Sequence, residues 1–361
     1  MMTKPFALSL VLAVTLLLLR PVPGEAWSRK GHVLITRSTV KLLLEDPTCP
    51  EALRTVLLEG LGHPEKIESL DDFVLTEPYS TMSQPLEPGL DLFSFRPDDL
   101  TVTRSAVPAF NSTENPMHYL NLERFHPDPE RRKFAPDGSN AAKAAELPRD
   151  WRDERYATAG LLTFRVEQVY ENLVQSLAAG HSNEQSFLWM GFLSHYVSDA
   201  FQPFHATLNY DGSQCPANLK RDKPARQNLH FELEDRIFSD ESPAVRALVP
   251  DFWRQFKSTV SGAAARPAER LDPYVATQEA LSASYGWLAF LCRAAAVALQ
   301  GPEFNRQAWL SYAEEAGGRR LSVAQLQGER MALAALAIRT LIRQAWDDAT
   351  RPAPVSPKPK P

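Results

Sequence analysis

Cysteine is scarce in this chain. Cys49, Cys215 and Cys292 are the three in 361 residues, and they lie far apart. That excludes a CxxC metal motif and a small disulfide-framed scaffold, and leaves one disulfide with a free thiol, or three free thiols. No stretch alternates apolar and polar residues as a half-buried strand does, so β-sandwich and barrel folds are not indicated. There is no Ser/His/Asp elbow, no phosphate-cradling glycine loop and no dinucleotide fingerprint. Excess positive charge is missing too. The formal net charge is −5, which gives no global attraction for nucleic acid or anionic membranes. Finally, the longest N-terminal apolar run, Phe6 to Leu19, falls short of the roughly 20 residues a spanning helix needs.

That run has a different use. Lys4 precedes it, Arg20 interrupts its flank, Pro21 and Pro23 break it, and Gly24-Glu25-Ala26 places small residues at −3 and −1. This is the layout of a secretory signal peptide over residues 1–26, with an uncleaved anchor as the less favoured reading. Cleavage after Ala26 leaves Trp27 as the new N-terminus and a net charge of −6, and predicts a secreted or periplasmic protein. Asn111-Ser112-Thr113 is a glycosylation sequon, relevant only in a glycosylating host.

The rest reads as helices. Leu162, Val166, Val169, Tyr170, Leu173 and Leu177 form a stripe at helical spacing ended by Gly180. Ser186 to Asp199 is apolar nearly all round, as in a helix buried inside a bundle. Further helices are expected over 244–258, 274–299, 303–316 and 321–348. Pro78, Pro85, Pro88, Pro97, Pro108 and Pro116 predict a long irregular excursion over 76–116, and 206–228 reads as a second loop. Residues 351–361 form a Pro-rich tail, leaving 27–350 as the folded domain.

Histidine carries the chemistry. In HYVSDAFQPFH, His195 and Asp199 are four apart and share a helix face; Pro203 ends the helix and lets the turn bring His205 back. A buried imidazole and carboxylate demand a partner, and a divalent cation is one. His230 and Glu234 in NLHFELE are again four apart, His118 lies in MHYLN, and His32 follows Trp27 in WSRKGH. A free α-amine and a carbonyl at Trp27 add two more donors. Singly, each histidine is more simply a hydrogen-bonded core residue, and a His-x-x-x-Glu pair is common by chance. Together they form several N/O ligand sets of the type zinc prefers. The other three histidines, His63, His126 and His181, sit beside Pro or Gly in polar stretches and should face solvent.

The order W-x-x-x-G-H, an aspartate, H-Y, H-x-x-x-D-x-x-Q-P-x-H and H-x-x-x-E resembles the zinc-dependent phospholipase C / S1-P1 nuclease superfamily, over about Trp27 to Phe238. GRRLSVAQ and the final helix resemble the family's C-terminal helix. The resemblance implies an all-α, phospholipase C/P1 nuclease-like bundle with long irregular loops and three zinc ions in a cleft. Trp27, His32 and Asp199 are expected to hold one ion, and Asp199 to bridge to a second held with His195, His118 and an aspartate. His205, His230 and Glu234 are expected to hold the third. RPDDL resembles the aspartate-bearing stretch, which points to Asp98 first and Asp99 second; an N-cap or solvated turn is the plainer reading of that pair. Asp98 and Asp199 are the residues expected to serve the chemistry, Asp98 as base or only as ligand. Ser198 stands where the family often has Gly, and a small packing change with no lost ligand is expected.

The activity so implied is phosphodiester hydrolysis on a phospholipid or a single-stranded nucleic acid, by a monomer with no protein partner indicated. Glu234 and Leu233 resemble the phospholipase branch, where the nucleases usually carry Asp and Trp. The WSRKGH spacing, HYLN and the long gap from His205 to His230 resemble the nucleases. The acidic balance favours the phospholipase C reading, with an S1/P1-type single-strand nuclease/3'-nucleotidase as the alternative. A zinc-binding protein without turnover is the alternative of another class.

Overall fold

The computed structural model describes residues 27–61, 89–99, 114–180, 184–222, 225–264, 269–316 and 318–351. The expected signal segment, the sequon, His63, His181 and the tail beyond Arg351 lie outside the described residues. Eight helices of two turns or more are described: α1 (Arg29–Glu45), α2 (Glu51–Gly60), α3 (Leu162–Gly180), α4 (Glu184–Ala200), α5 (Val249–Ala264), α6 (Pro273–Tyr285), α7 (Leu288–Ala298) and α8 (Val323–Thr350). The described residues are mostly helical, as expected of an all-α chain.

α8 is the spine and packs on α1, α3, α4 and α5. Its start is fixed by a capping box: Ser322 Oγ accepts from the Gln325 amide and the Gln325 side chain accepts from the Ser322 amide. α4 lies between α1, α3 and α8, and every residue from Met190 to Ala200 is buried. A helix apolar on all sides needs such a central place, because any face turned to water would waste apolar area.

Several expectations are corrected. The helix expected over 303–316 is only Arg306–Ser311, after which Ala313–Ala316 pairs antiparallel with Arg319–Ser322. Gly318, at φ 77°, supplies the left-handed residue that the turn needs, and two four-residue strands are too short for alternation to show. The expected 274–299 helix is broken at Gly286 and Trp287 into α6 and α7, and Pro243–Arg246 is a separate turn before α5. The 76–116 excursion is not wholly irregular: Leu90–Phe93, Arg96–Asp99 and Asn115–His118 are short helical turns. The loop expected over 206–228 contains one helical turn, Pro216–Leu219. Cys215 and Cys292 form a disulfide tying that loop to α7, and Cys49 is free and buried. His126, expected in solvent, is buried, and its Nδ1 accepts from the Asp128 amide in a local turn.

Candidate metal centre

α4 ends where Pro203 requires it to, and Pro203–Ala206 forms a 3-10 turn. Gln202 caps this turn, its Oε1 accepting from the Phe204 amide, while its Nε2 donates to Glu234 Oε1 at 2.8 Å. One glutamine therefore shapes the turn that presents His205 and orients the carboxylate of Glu234. Asn228 caps Leu229–Glu234, the single helical stretch that sets His230 and Glu234 on one face.

The segment bearing Asp98 is docked from two sides. Arg37 of α1 donates through Nε to Asp91 at 2.8 Å, and both are largely buried. Gly191 of α4 lets the backbone of Phe93 approach so closely that a Cβ there would lie 2.5 Å from Phe93 Cβ. This docking puts the Ser94 carbonyl 2.8 Å from His195 Nδ1. At the other end of the site, Trp27 is fully buried and its indole Nε1 donates to the Ser198 carbonyl at 2.7 Å. Gly31 makes room, since a Cβ there would come within 3.0 Å of Trp27 Cβ.

These elements bring the expected side chains into three groups, the first two sharing His195: His32, Asp98 and His195; His118, His195 and Asp199; His205, His230 and Glu234. Within each, the potential ligand atoms lie within 4.8 Å of one another. In the first two groups His195 Nε2 is 3.0 Å from His118 Nδ1 and 3.4 Å from Asp199 Oδ2, and His118 Nδ1 is 3.1 Å from Asp199 Oδ2. Asp98 is 3.6 Å from His195, 3.7 Å from His118 and 3.9 Å from His32. Asp199 Oδ1 is 3.7 Å from His32 Nε2. Asp98 joins the cluster and meets His32 as well as the expected His118 and His195, while the side chain of the alternative, Asp99, lies outside the described residues. Trp27 is beside the cluster through its indole and carbonyl; that carbonyl accepts the His32 amide at 3.2 Å.

The third group is chemically the most telling. His205 Nδ1 faces the His118 carbonyl, and His230 donates to the Tyr210 carbonyl. A carbonyl only accepts, so both rings carry their proton on that side and turn a lone pair inward. The two inward Nε2 atoms are 3.1 Å apart, and both face Glu234 Oε1. Two lone pairs and a carboxylate converging in a buried space repel unless a cation lies among them. A proton does not serve: burial holds His205 below the ordinary histidine range, and burial holds His230 down at about 3. Burial likewise keeps His118 and His195 well below that range. Burial, with Asp98 and Glu234 nearby, pushes the carboxyl of Asp199 well above its usual range. Neutral imidazoles and a carboxylate that resists its own charge form a donor set suited to a metal ion.

Behind the cluster, Tyr196 packs against His118 and His195 and donates to Glu114, which also pairs with Arg165 at 2.7 Å. Neither this buried network nor the Gln202 contact with Glu234 was signalled by spacing alone. The Q-P-x-H pattern was the only trace of Gln202. No protein-family model and no curated protein matches the chain.

Proposed function

We propose that the protein is an exported phosphodiester hydrolase of the zinc-dependent phospholipase C / S1-P1 nuclease type, holding three zinc ions. The observation that carries this is the third group, where two imidazole lone pairs 3.1 Å apart converge on Glu234. A tetrahedral ion with bonds of about 2.0–2.1 Å spaces its ligand atoms by roughly 3.3 Å. The separations of 3.0, 3.1 and 3.4 Å in the second group bracket that value; in the third, 3.1 and 3.6 Å do so for His205 with His230 and Glu234, while His230 and Glu234 are in closer contact. Trp27, His32, Asp98, His118, His195 and Asp199 would hold a pair of ions, and His205, His230 and Glu234 the third. The mostly helical architecture and the order of the motifs support the same family reading.

Zinc, when bound, supplies Lewis acidity toward water and toward phosphoryl oxygens. The chain's own part is positional. α4 and its capped turn hold His195, Asp199 and His205 in one frame, and the apolar packing of α4 excludes bulk water from behind the ligands. Asp98, nearer the edge of the cluster, is suited to take a proton from an attacking water or to act only as ligand. Glu234, Leu233 and the acidic net charge favour a phospholipid substrate with headgroup release. Hydrolysis of bis(p-nitrophenyl) phosphate that a chelator abolishes and zinc restores is the expected result. No turnover by a zinc-loaded chain would leave a binding protein instead. Phosphatidylcholine should then be cleaved faster than single-stranded DNA at matched enzyme concentration; the reverse would make it a nuclease.

A further inference from the structure

Four of the five cluster histidines lean on backbone carbonyls: His118 on Pro97, His195 on Ser94, His205 on His118 and His230 on Tyr210. No side-chain substitution deletes such an acceptor. His32 differs. Its Nδ1 lies 2.9 Å from Ser198 Oγ, and that oxygen lies 2.7 Å from the His195 carbonyl. A hydroxyl has one proton, and the carbonyl can only accept, so the serine proton goes to His195. His32 must then donate through Nδ1, which leaves the lone pair on Nε2, the atom that faces Asp98 and Asp199. The same serine accepts the Trp27 indole on its backbone carbonyl at 2.7 Å. One turn away, Thr36 Oγ1 and Ser194 Oγ are bonded at 2.7 Å, which extends the register of α1 against α4.

We propose that Ser198 is a positioning residue that docks the N-terminal ligand segment onto α4 and fixes the tautomer in which His32 Nε2 can bind a cation. The proposal rests on reading His32 as a ligand of the metal cluster. It follows that the hydroxyl, rather than the bulk of Ser198, sets the grip on the ion nearest His32. Loss of such an outer partner typically weakens metal affinity by about 10–100-fold.

The test is zinc retention by the purified mature protein, titrated with a chromogenic chelator, for wild type, Ser198→Ala and Ser198→Thr. The expected result is that Ser198→Ala yields one class of zinc at about 10–100-fold lower chelator than wild type, and that Ser198→Thr restores retention. A second readout is the proton-bearing nitrogen of His32, read by 15N NMR of histidine-labelled protein: Nδ1 in wild type, redistributed in Ser198→Ala. Equal retention by all three chains with an unchanged tautomer would overturn the role of Ser198 while leaving the metal reading intact. If wild type itself retains no zinc, the metal reading fails, and this proposal with it. Should Ser198→Ala fail to fold, Ser198→Thr and Ser198→Val differ only by hydroxyl against methyl. Equal retention by that pair would overturn the proposal in the same way.

Discussion

Asp199 and Asp98 face the same three histidines, yet they are not equivalent. Asp199 offers Oδ2 to His118 and His195 at 3.1 and 3.4 Å and Oδ1 to His32, from a fully buried position on α4. Asp98 stands 3.6–3.9 Å from all three, on a four-residue turn. If Asp199 spans two ions, as proposed, its carboxylate should hold more metal than that of Asp98. Asp199→Asn is therefore expected to lower zinc content further than Asp98→Asn, by elemental analysis of the purified mature chains. Equal zinc in both would count against the bridging role. The N-terminus adds a related expectation. If the Trp27 amine is a donor, one extra residue before it should lower both zinc content and activity, whereas full activity of such a chain, verified by N-terminal sequencing, would remove Trp27 from the ligand set.

At the scale of elements, the Asp98 turn depends on a glycine in a different helix. A Cβ at Gly191 would stand 2.5 Å from Phe93 Cβ and 2.7 Å from its carbonyl carbon, so Gly191→Ala must push the segment away from α4. Overpacking of this type costs about 1–3 kcal/mol. It should also loosen the Ser94 carbonyl from His195 and withdraw Asp98, so zinc retention should fall along with the urea midpoint. A lowered midpoint with undiminished zinc would show that the segment is not what places Asp98. The two sides of this contact differ in legibility. The His195–Asp199 spacing, the Pro203 stop and the His230–Glu234 pair could be read from sequence because each rests on helix periodicity within one segment. Gly191 against Phe93, Arg37 against Asp91 and Gln202 against Glu234 join residues far apart in the chain, and periodicity has nothing to say about them. The hairpin at Ala313–Ser322 was missed for a related reason: its strands are held by their pairing with each other, and each alone is four residues of mixed polarity.

For the whole molecule, the disulfide and the buried histidines set how folding couples to conditions. Cys215–Cys292 closes a separation of 77 residues and pins the loop between His205 and His230 to α7. In the chain-entropy treatment a loop of that size is worth about 4–5 kcal/mol. Cys215→Ser with Cys292→Ser should lower the thermal midpoint and release zinc from the third group first. The acid response has a definite sign in the ion-free protein. His118, His195, His205 and His230 all have folded values below the ordinary 6.5, about 3 for His230. Unfolded chains take up protons at these positions below about pH 6.5 and the folded chain does not, so stability rises with pH across that window. Their contribution is complete above 6.5 and is lost as pH falls toward the folded values, by about 1 kcal/mol per pH unit for each histidine. Asp199 acts the other way: its raised carboxyl adds stability at low pH and loses it as pH climbs through its folded value. Glu123, also raised by burial, acts as Asp199 does, and four groups against two still leave the protein less stable at pH 5 than at pH 7. The urea midpoint of chelator-treated protein should therefore drop between pH 7 and pH 5. Zinc-loaded protein should lie above it at pH 7, because a ligand that binds only the folded state adds stability by mass action, and the two curves should converge as protons displace the ions. Coincident curves at pH 7 would mean that the folded chain binds no zinc, whatever its histidines face.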